Sequence, residues 1–320
     1  MAVPVDPVAI FYQAASTNDI PMMEEALELV VKDKDRNVPM TLGTGLQYAA
    51  NRNHIEMIQF LLDHGANMAD MRPMAIYDDD QRPNVRTLQF LLDHGWDMNS
   101  WSGSGDREWQ WPFLWTCLAH QNLVNWCLEH GARVDMYDER LSVINEVGEQ
   151  EGTRNSCPPL LDYVARYGTV AQFELFRNRG APLGFRMLHL ATQRARSAAL
   201  PEGITEPPPD DDDDPRFYHY RESMKMVKHT LQIDEVDVNA QRLFLAEGDV
   251  CLTALCIVAF RPMENDRPLT RLLLDAGADP DLMGFLGSPR SCGELHGNRI
   301  FLKALEEWDN EKREQTASSV

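Results

Sequence analysis

Four tryptophans fall within fifteen residues, at Trp101, Trp109, Trp111 and Trp115, in a chain that has seven in all. Between them lie Asp106, Arg107 and Glu108, after a Ser-Gly-Ser-Gly stretch at 102–105. Tryptophan covers a large contact area with few rotatable bonds and keeps an N–H at its edge, so it concentrates at recognition hot spots. Beside an arginine and two carboxylates, the cluster can form the wall of an apolar pocket or the tip of a protein-binding loop. In a pocket, Asp106, Glu108 or the later Asp135 could move a proton on an apolar ligand. A competing reading places Trp111 and Trp115 on a helix that fills the core, as large aromatics commonly do.

Two other groups of residues suggest metal chemistry. Pro207-Pro208-Pro209 is followed by five consecutive aspartates, Asp210 to Asp214. A magnesium-diphosphate site needs its carboxylates on one helix face. Tripled proline opposes a helix there, and adjacent like charges repel. The segment reads as a solvated, disordered acidic insertion, about 201–215. The histidines are periodic: His64, His94 and His130 each precede a glycine, and His54 and His120 stand ahead of the same apolar helical pattern. That position suits a partly cationic side chain at a helix C-terminus, and no known zinc spacing occurs. No metal site and no cofactor are expected. Phosphate-binding glycine loops, the Gly-x-Ser-x-Gly elbow and the His-Glu-x-x-His motif are all missing from the sequence, so no catalytic residues are assigned.

The chain of 320 residues carries a formal charge of −20, from 50 acidic and 30 basic side chains, and is 43% hydrophobic. Nucleic acid and anionic lipid both need clustered Lys and Arg to displace counterions, so neither is an expected partner. A basic or neutral partner fits the charge better. No apolar run is long enough to cross a bilayer, and residues 1–15 have no basic stretch of the kind that opens a secretion signal. The six cysteines lack Cys-x-x-Cys spacing and disulfide density. A reducing, intracellular, cytoplasmic location is the expectation.

The elements that must position these residues are repeated. Phe60-Leu-Leu-Asp-His-Gly65 returns as Phe90-Leu-Leu-Asp-His-Gly95, then in looser form ending at Gly131, Gly180 and Gly277. The glycines are 30, 36, 49 and 97 residues apart. A copy at Met226 to Leu231, followed by Val236-Asp-Val-Asn-Ala240, has lost its glycine and fills the widest gap. Each copy places apolar residues at helical spacing and puts glycine where the chain must turn left-handed after the helix. Upstream, Thr44 to Ala50 forms a short first helix in which Ala49 and Ala50 permit close packing.

Thr44, Leu46, Ala49, Ala50, His54, Glu56, Leu61, Leu62, Gly65 and Ala66 fall on the consensus of the ankyrin repeat, which this chain resembles. Leu188, His189 and Ala191 keep part of it, as do Thr253, Leu255 and Ala259. The repeated Leu-Leu-Asp-His-Gly is similar to that of fungal ankyrin proteins. The resemblance implies an all-α ankyrin-repeat solenoid of about seven helix hairpins with long inserted finger loops. It would run as a single array over 1–310, from a divergent first repeat at Phe11 to Val31 to a closing helix at Asn298 to Trp308, with a flexible tail at 311–320. Pro73 and Pro83 shorten the first helix of the repeat around 72–95. Insertions occur at 99–111, 136–158 and 194–220. The resemblance also implies a concave face and fingers that bind a protein partner. The alternative is an ankyrin scaffold recruited to bind or transform a small apolar molecule, for example as a cyclase or isomerase, in a Trp-lined pocket near 99–158.

Overall fold

The computed structural model describes residues 6–71, 76, 84–101, 111–137, 157–198, 214–244, 250–284 and 286–318. They form two compact units, 1–133 and 134–320. In the first, α1 (Pro7–Thr17) packs on α2 (Ile20–Lys32) and α3 (Val38–Asn51) on α4 (Ile55–Asp63), and the short α6 (Phe113–Thr116) precedes α7 (Gln121–Glu129). Helix α5 (Val85–Asp93) repeats the α4 sequence; the stretch before it, with Pro73 and Pro83, lies outside the described residues. The second unit pairs α8 (Leu160–Tyr167) with α9 (Val170–Arg177), and α10 (Met187–Ser197) with α11 (Tyr218–Leu231). It continues with α12 (Ala254–Ala259) and α13 (Asp266–Asp275), then α14 (Pro289–Leu295) and α15 (Arg299–Ser318). Each unit is thus a set of helix hairpins joined by loops.

Local sequence sets both ends of these helices. Asp6, Asp19 and Asn37 accept hydrogen bonds from Val8, Met22 and Met40 backbone N–H groups, and a proline follows each within two positions. The side chains satisfy donors that the first turn leaves open, and proline needs no donor there. At the other end, Gly65, Gly95, Gly131, Gly180 and Gly277 have φ between 88° and 94°. A Cβ at any of them would meet nothing within 4 Å, so the backbone angle, and not space, selects glycine. Past it the next N–H returns to the helix, as Ala66 to the Leu61 carbonyl at 2.9 Å and Ala278 to Leu273 at 3.0 Å. The periodic histidines complete the cap. His64, His94 and His130 stack on Phe60, Phe90 and Trp126 and reach the same residues' carbonyls through Nδ1, at 2.7, 2.7 and 2.8 Å.

The hairpins bury their apolar faces on one another. Within 134–320 the first helices α8, α10, α12 and α14 pack in succession, and within 1–133 α1 packs on α3. Gly45 lets α3 approach α1, because a Cβ there would stand 2.5 Å from the Phe11 ring. Side chains also tie one loop to the next. Asn99 donates to the Gly131 carbonyl at 3.0 Å and accepts from the Arg133 N–H at 2.8 Å. Asn239 repeats this on Gly277 and Asp279, at 3.0 and 2.8 Å. Asp266, fully buried, takes Arg196 Nε at 3.0 Å and Asn298 Nδ2 at 2.8 Å, linking three successive hairpins. Burial raises its pKa, and the Arg196 charge opposes that rise.

Three element boundaries differ from the sequence expectation, while the all-α class holds with one small addition. Strands β1 (Arg242–Phe244) and β2 (Val250–Leu252) form an antiparallel pair in the loop before α12. Its ladder gives a long finger internal hydrogen bonds that helix packing cannot supply. Helix α3 starts at Val38, ahead of Thr44, on an Asn37 cap. Helix α10 runs through Ser197, which moves the start of the third insertion beyond Arg194. The closing helix α15 continues past Trp308, and residues 311–318, which the sequence assigns to a tail, are helical. Paired hydrogen bonds from Arg271 to Glu311, at 3.0 and 2.6 Å, fasten that extension to α13. The acidic run Asp210 to Asp213 lies outside the described residues. Among the described residues no helix is long and apolar enough to cross a membrane.

Removing one partner of a buried ion pair leaves the other charge uncompensated, at a cost of about 3 kcal/mol. Asp266→Ala should therefore lower the urea-unfolding free energy by about that amount. Glu28→Ala, which removes the exposed Lys32–Glu28 pair, should change it little. Equal effects of the two substitutions would show that the Arg196–Asp266–Asn298 link does not hold the hairpins together.

Candidate binding surfaces

The tryptophan cluster divides on inspection. Trp115 is fully buried in α6, so its indole belongs to the core. Trp101 and Trp111 are half-buried in the chain leading to that helix. Asp106, Arg107, Glu108 and Trp109 lie outside the described residues. Asp135 is exposed. A tryptophan that the cluster does not include, Trp96, is buried and meets Phe113 edge-on at 5.3 Å. Its position is alanine in four other copies (Ala66, Ala132, Ala181 and Ala278), and that substitution of a large for a small residue was the available signal.

In the second unit a cleft of about 210 Å³ opens between two successive fingers, over the start of α10. One wall is Leu183 to Phe185, the other Glu235 to Asp237 with Ala240 and Arg242, and Met187, Leu188 and His189 form the floor. Three first-helix side chains explain why the fingers stand where they do. Gln47, Asp162 and His189 each sit two residues before the buried small or branched pair of their helix, and each reaches the next finger. Gln47 Nε2 donates to the Asp70 carbonyl at 2.9 Å. Asp162 accepts the Arg186 N–H at 2.7 Å and pairs with its guanidinium at 3.8 Å. His189 Nε2 lies 3.1 Å from the Ala240 carbonyl and 2.9 Å from that of Leu252. The two carbonyls can only accept, so Nε2 carries the proton. Arg242 Nε donates to Phe185 at 3.0 Å and closes the finger pair from the other side.

These polar groups are committed to positioning. Burial lowers the His189 pKa to about 4, so the ring is neutral at physiological pH and its Nε2 hydrogen is already donated. Burial raises Asp162, against the Arg186 charge that lowers it. The thiols are equally unsuited to nucleophilic work. A hydrogen bond to Cys127, and then burial, push Cys117 far up, and burial pushes Cys256 to about 12. A thiolate is the reactive form, and neither forms readily at neutral pH. Contact between the cleft and a ligand would fall to its rim: the Arg242 guanidinium, Glu235 and Asp237.

The first unit presents a different surface. Met40 is 68% exposed and Tyr48 44% exposed on one face of α3, and the Tyr12 ring of α1 lies 5.3 Å from that of Tyr48. Successive first helices therefore display adjoining aromatic and thioether groups to solvent.

Residues 44–72 match the ankyrin-repeat family model. They cover the C-terminal part of α3, all of α4 and the residues after it, and left-handed glycines like Gly65 also follow α5, α7, α9 and α13. That segment is an ankyrin repeat. Among solved structures it is similar to the ankyrin-repeat domain of Bcl-3, described as a unique member of the IκB protein family. That likeness has 17% identity, spans 95% of this chain and 100% of that one, and has a TM-score of 0.30. No curated protein matches the chain.

The His189 environment has a measurable consequence. Its folded pKa of about 4 is below the unfolded value near 6.5. The neutral ring therefore contributes stability that is fully present above about pH 6.5 and is lost as the pH falls towards 4. The total is about 3 kcal/mol. The stability difference between the native chain and His189→Gln should shrink by that order between pH 7 and pH 4 in urea titrations, carboxylate effects cancelling in the difference. A difference independent of pH would show that the buried ring is not the titrating group.

Proposed function

We propose that this chain is an interaction module that holds a protein partner on its first-helix faces and fingers. The observation that carries the reading is the exposed Tyr12–Tyr48–Met40 surface of the first unit. Met40 and Tyr48 are two helical turns apart and share a face. Tyrosine and methionine are enriched at protein interfaces, where they add apolar contact at small conformational cost. Ankyrin repeats in general serve as protein-interaction modules, which agrees. The formal charge of −20 favours a basic or neutral partner in long-range encounter. The tryptophan finger, with Trp101, Asp106, Arg107, Glu108, Trp109 and Trp111, adds a second contact region in this reading.

A photo-crosslinking residue at position 48 should capture a defined partner, and the same residue at exposed Glu24 on α2 should not. Tyr48→Ala with Met40→Ala should weaken binding of that partner about tenfold or more, as loss of interface anchors does, and leave the melting temperature unchanged. Crosslinking that is equal at both positions would reject the face assignment. For the finger, Trp109→Ala should weaken binding and spare thermal stability; a large fall in melting temperature would place this indole in the core instead.

A further inference from the structure

Where the ends of α8 and α10 meet the start of α11, on the side of the hairpins away from the fingers, the second unit has a second cleft, of about 330 Å³. Its chemistry is opposite to that of the chain as a whole. Arg166 and Tyr167 come from α8, Arg194 from α10 and His219 from α11. The Arg166 guanidinium lies 5.2 Å from the centre of the Tyr167 ring and makes no hydrogen bond or ion pair among the described residues. Arg194 gives one N–H to the Gly168 carbonyl, which fixes the direction of its side chain. Among the described residues, Glu222 is the carboxylate whose charge acts on Arg194, and it is also bonded to Lys225 Nζ at 2.9 Å. The two serine hydroxyls of the cleft are already spent: Ser197 donates to the Gln193 carbonyl at 2.9 Å and Ser223 to that of His219 at 2.6 Å. The charged donors of the cleft are the two guanidinium groups, with the Tyr167 hydroxyl, the Gln193 amide and His219 beside them.

We propose that this cleft binds a carboxylate-rich peptide segment of a partner protein, with Arg166 and Arg194 taking its carboxylates and the Tyr167 ring covering its apolar stems. Arginine presents a planar fork of donors that matches a carboxylate, and stacking on tyrosine leaves the donor edge free to do so. Burial lowers the pKa of Arg194 against the Glu222 charge that raises it, and an incoming carboxylate adds to that support. Tyr167 is 51% exposed and stands beside Ala198, an apolar wall that a bare inorganic anion would not use. The net charge of −20 does not oppose contact at this range. At physiological salt, charges beyond about 8 Å are largely screened, whereas the arginines act within hydrogen-bonding distance. The overall field slows the approach of an acidic segment, and the cleft retains it. This site stands independently of the Tyr48 surface, and either can fail without the other.

The test is fluorescence polarisation of a labelled penta-glutamate peptide on the full chain in about 0.15 M salt, where the overall field is screened. Penta-lysine is the control, and inorganic phosphate is the competitor. Saturable binding of penta-glutamate is expected, with a dissociation constant below about 1 mM. Arg166→Gln should weaken it about tenfold, the loss of one charge-assisted hydrogen bond. The melting temperature should change little, since among the described residues Arg166 loses only its exposed contact with the Tyr167 ring. Arg194→Lys should retain more affinity than Arg194→Gln. Equal binding of penta-lysine, or an affinity that Arg166→Gln leaves unchanged, overturns the proposal. Displacement by phosphate at concentrations equal to the peptide also overturns it, and assigns the cleft to a small free anion.

Discussion

A hairpin of two short helices has an apolar face that it cannot cover by itself, and here the neighbouring hairpin covers it. Much of the described structure serves the repetition of that contact. The chain must leave each second helix in one direction and re-enter the next first helix in register. A glycine near φ 90° does this at the end of α4, α5, α7, α9 and α13, at sites with ample room for a larger side chain. The asparagines at 99 and 239 then tie each turn to the following one. Spacings of 30 to 49 residues between glycines are tolerated because extra residues enter loops, where closing a longer segment adds little free energy.

The same constraint explains the polar groups inside. A first helix must hold the finger that follows it, and three side chains at equivalent positions do so by different means. Gln47 uses a neutral amide, Asp162 a buried carboxylate paired with arginine, and His189 a neutral imidazole. What is kept is a hydrogen bond from the helix to the next finger, and the residue type varies with what that finger offers. At Asp70 and at Ala240 and Leu252 it offers a carbonyl, and the helix supplies a donor. At Arg186 it offers an N–H and a cation, and the helix supplies an acceptor. Burial disfavours the charged form of both Asp162 and Asp266, and arginine offsets it in each case, Arg186 with Arg242 at the first and Arg196 at the second.

Among the described residues, several groups of reactive type have structural duties. His64, His94 and His130 cap helices, the Cys117 and Cys256 thiols are pushed up in pKa, and His189 has its proton fixed between two carbonyls. The two surfaces proposed for recognition lie elsewhere: the Tyr12–Tyr48–Met40 face on α1 and α3, and the arginine-bearing cleft at the ends of α8 and α10.

The repeat itself was legible without a structure. The phrase from Phe60 to Gly65 and its copies specify helix, cap and turn through residues within one hairpin, and such local preferences survive in a linear pattern. The C-terminal extent of α15 was not legible, because residues 311–318 have no apolar stripe and are held by the Arg271–Glu311 pair, forty residues apart. Nor was the β1–β2 finger, three-residue strands being too short for alternation to register. For Trp101, Trp111 and Trp115 the sequence supplied a cluster, while burial separated one core indole from two half-exposed ones. Likewise Arg166 and Arg194 read as unrelated charges in a strongly acidic chain. Only the packing of α8 on α10 brings them to one cleft, because side chains from different hairpins become neighbours through the stacked faces and through nothing in the sequence between them.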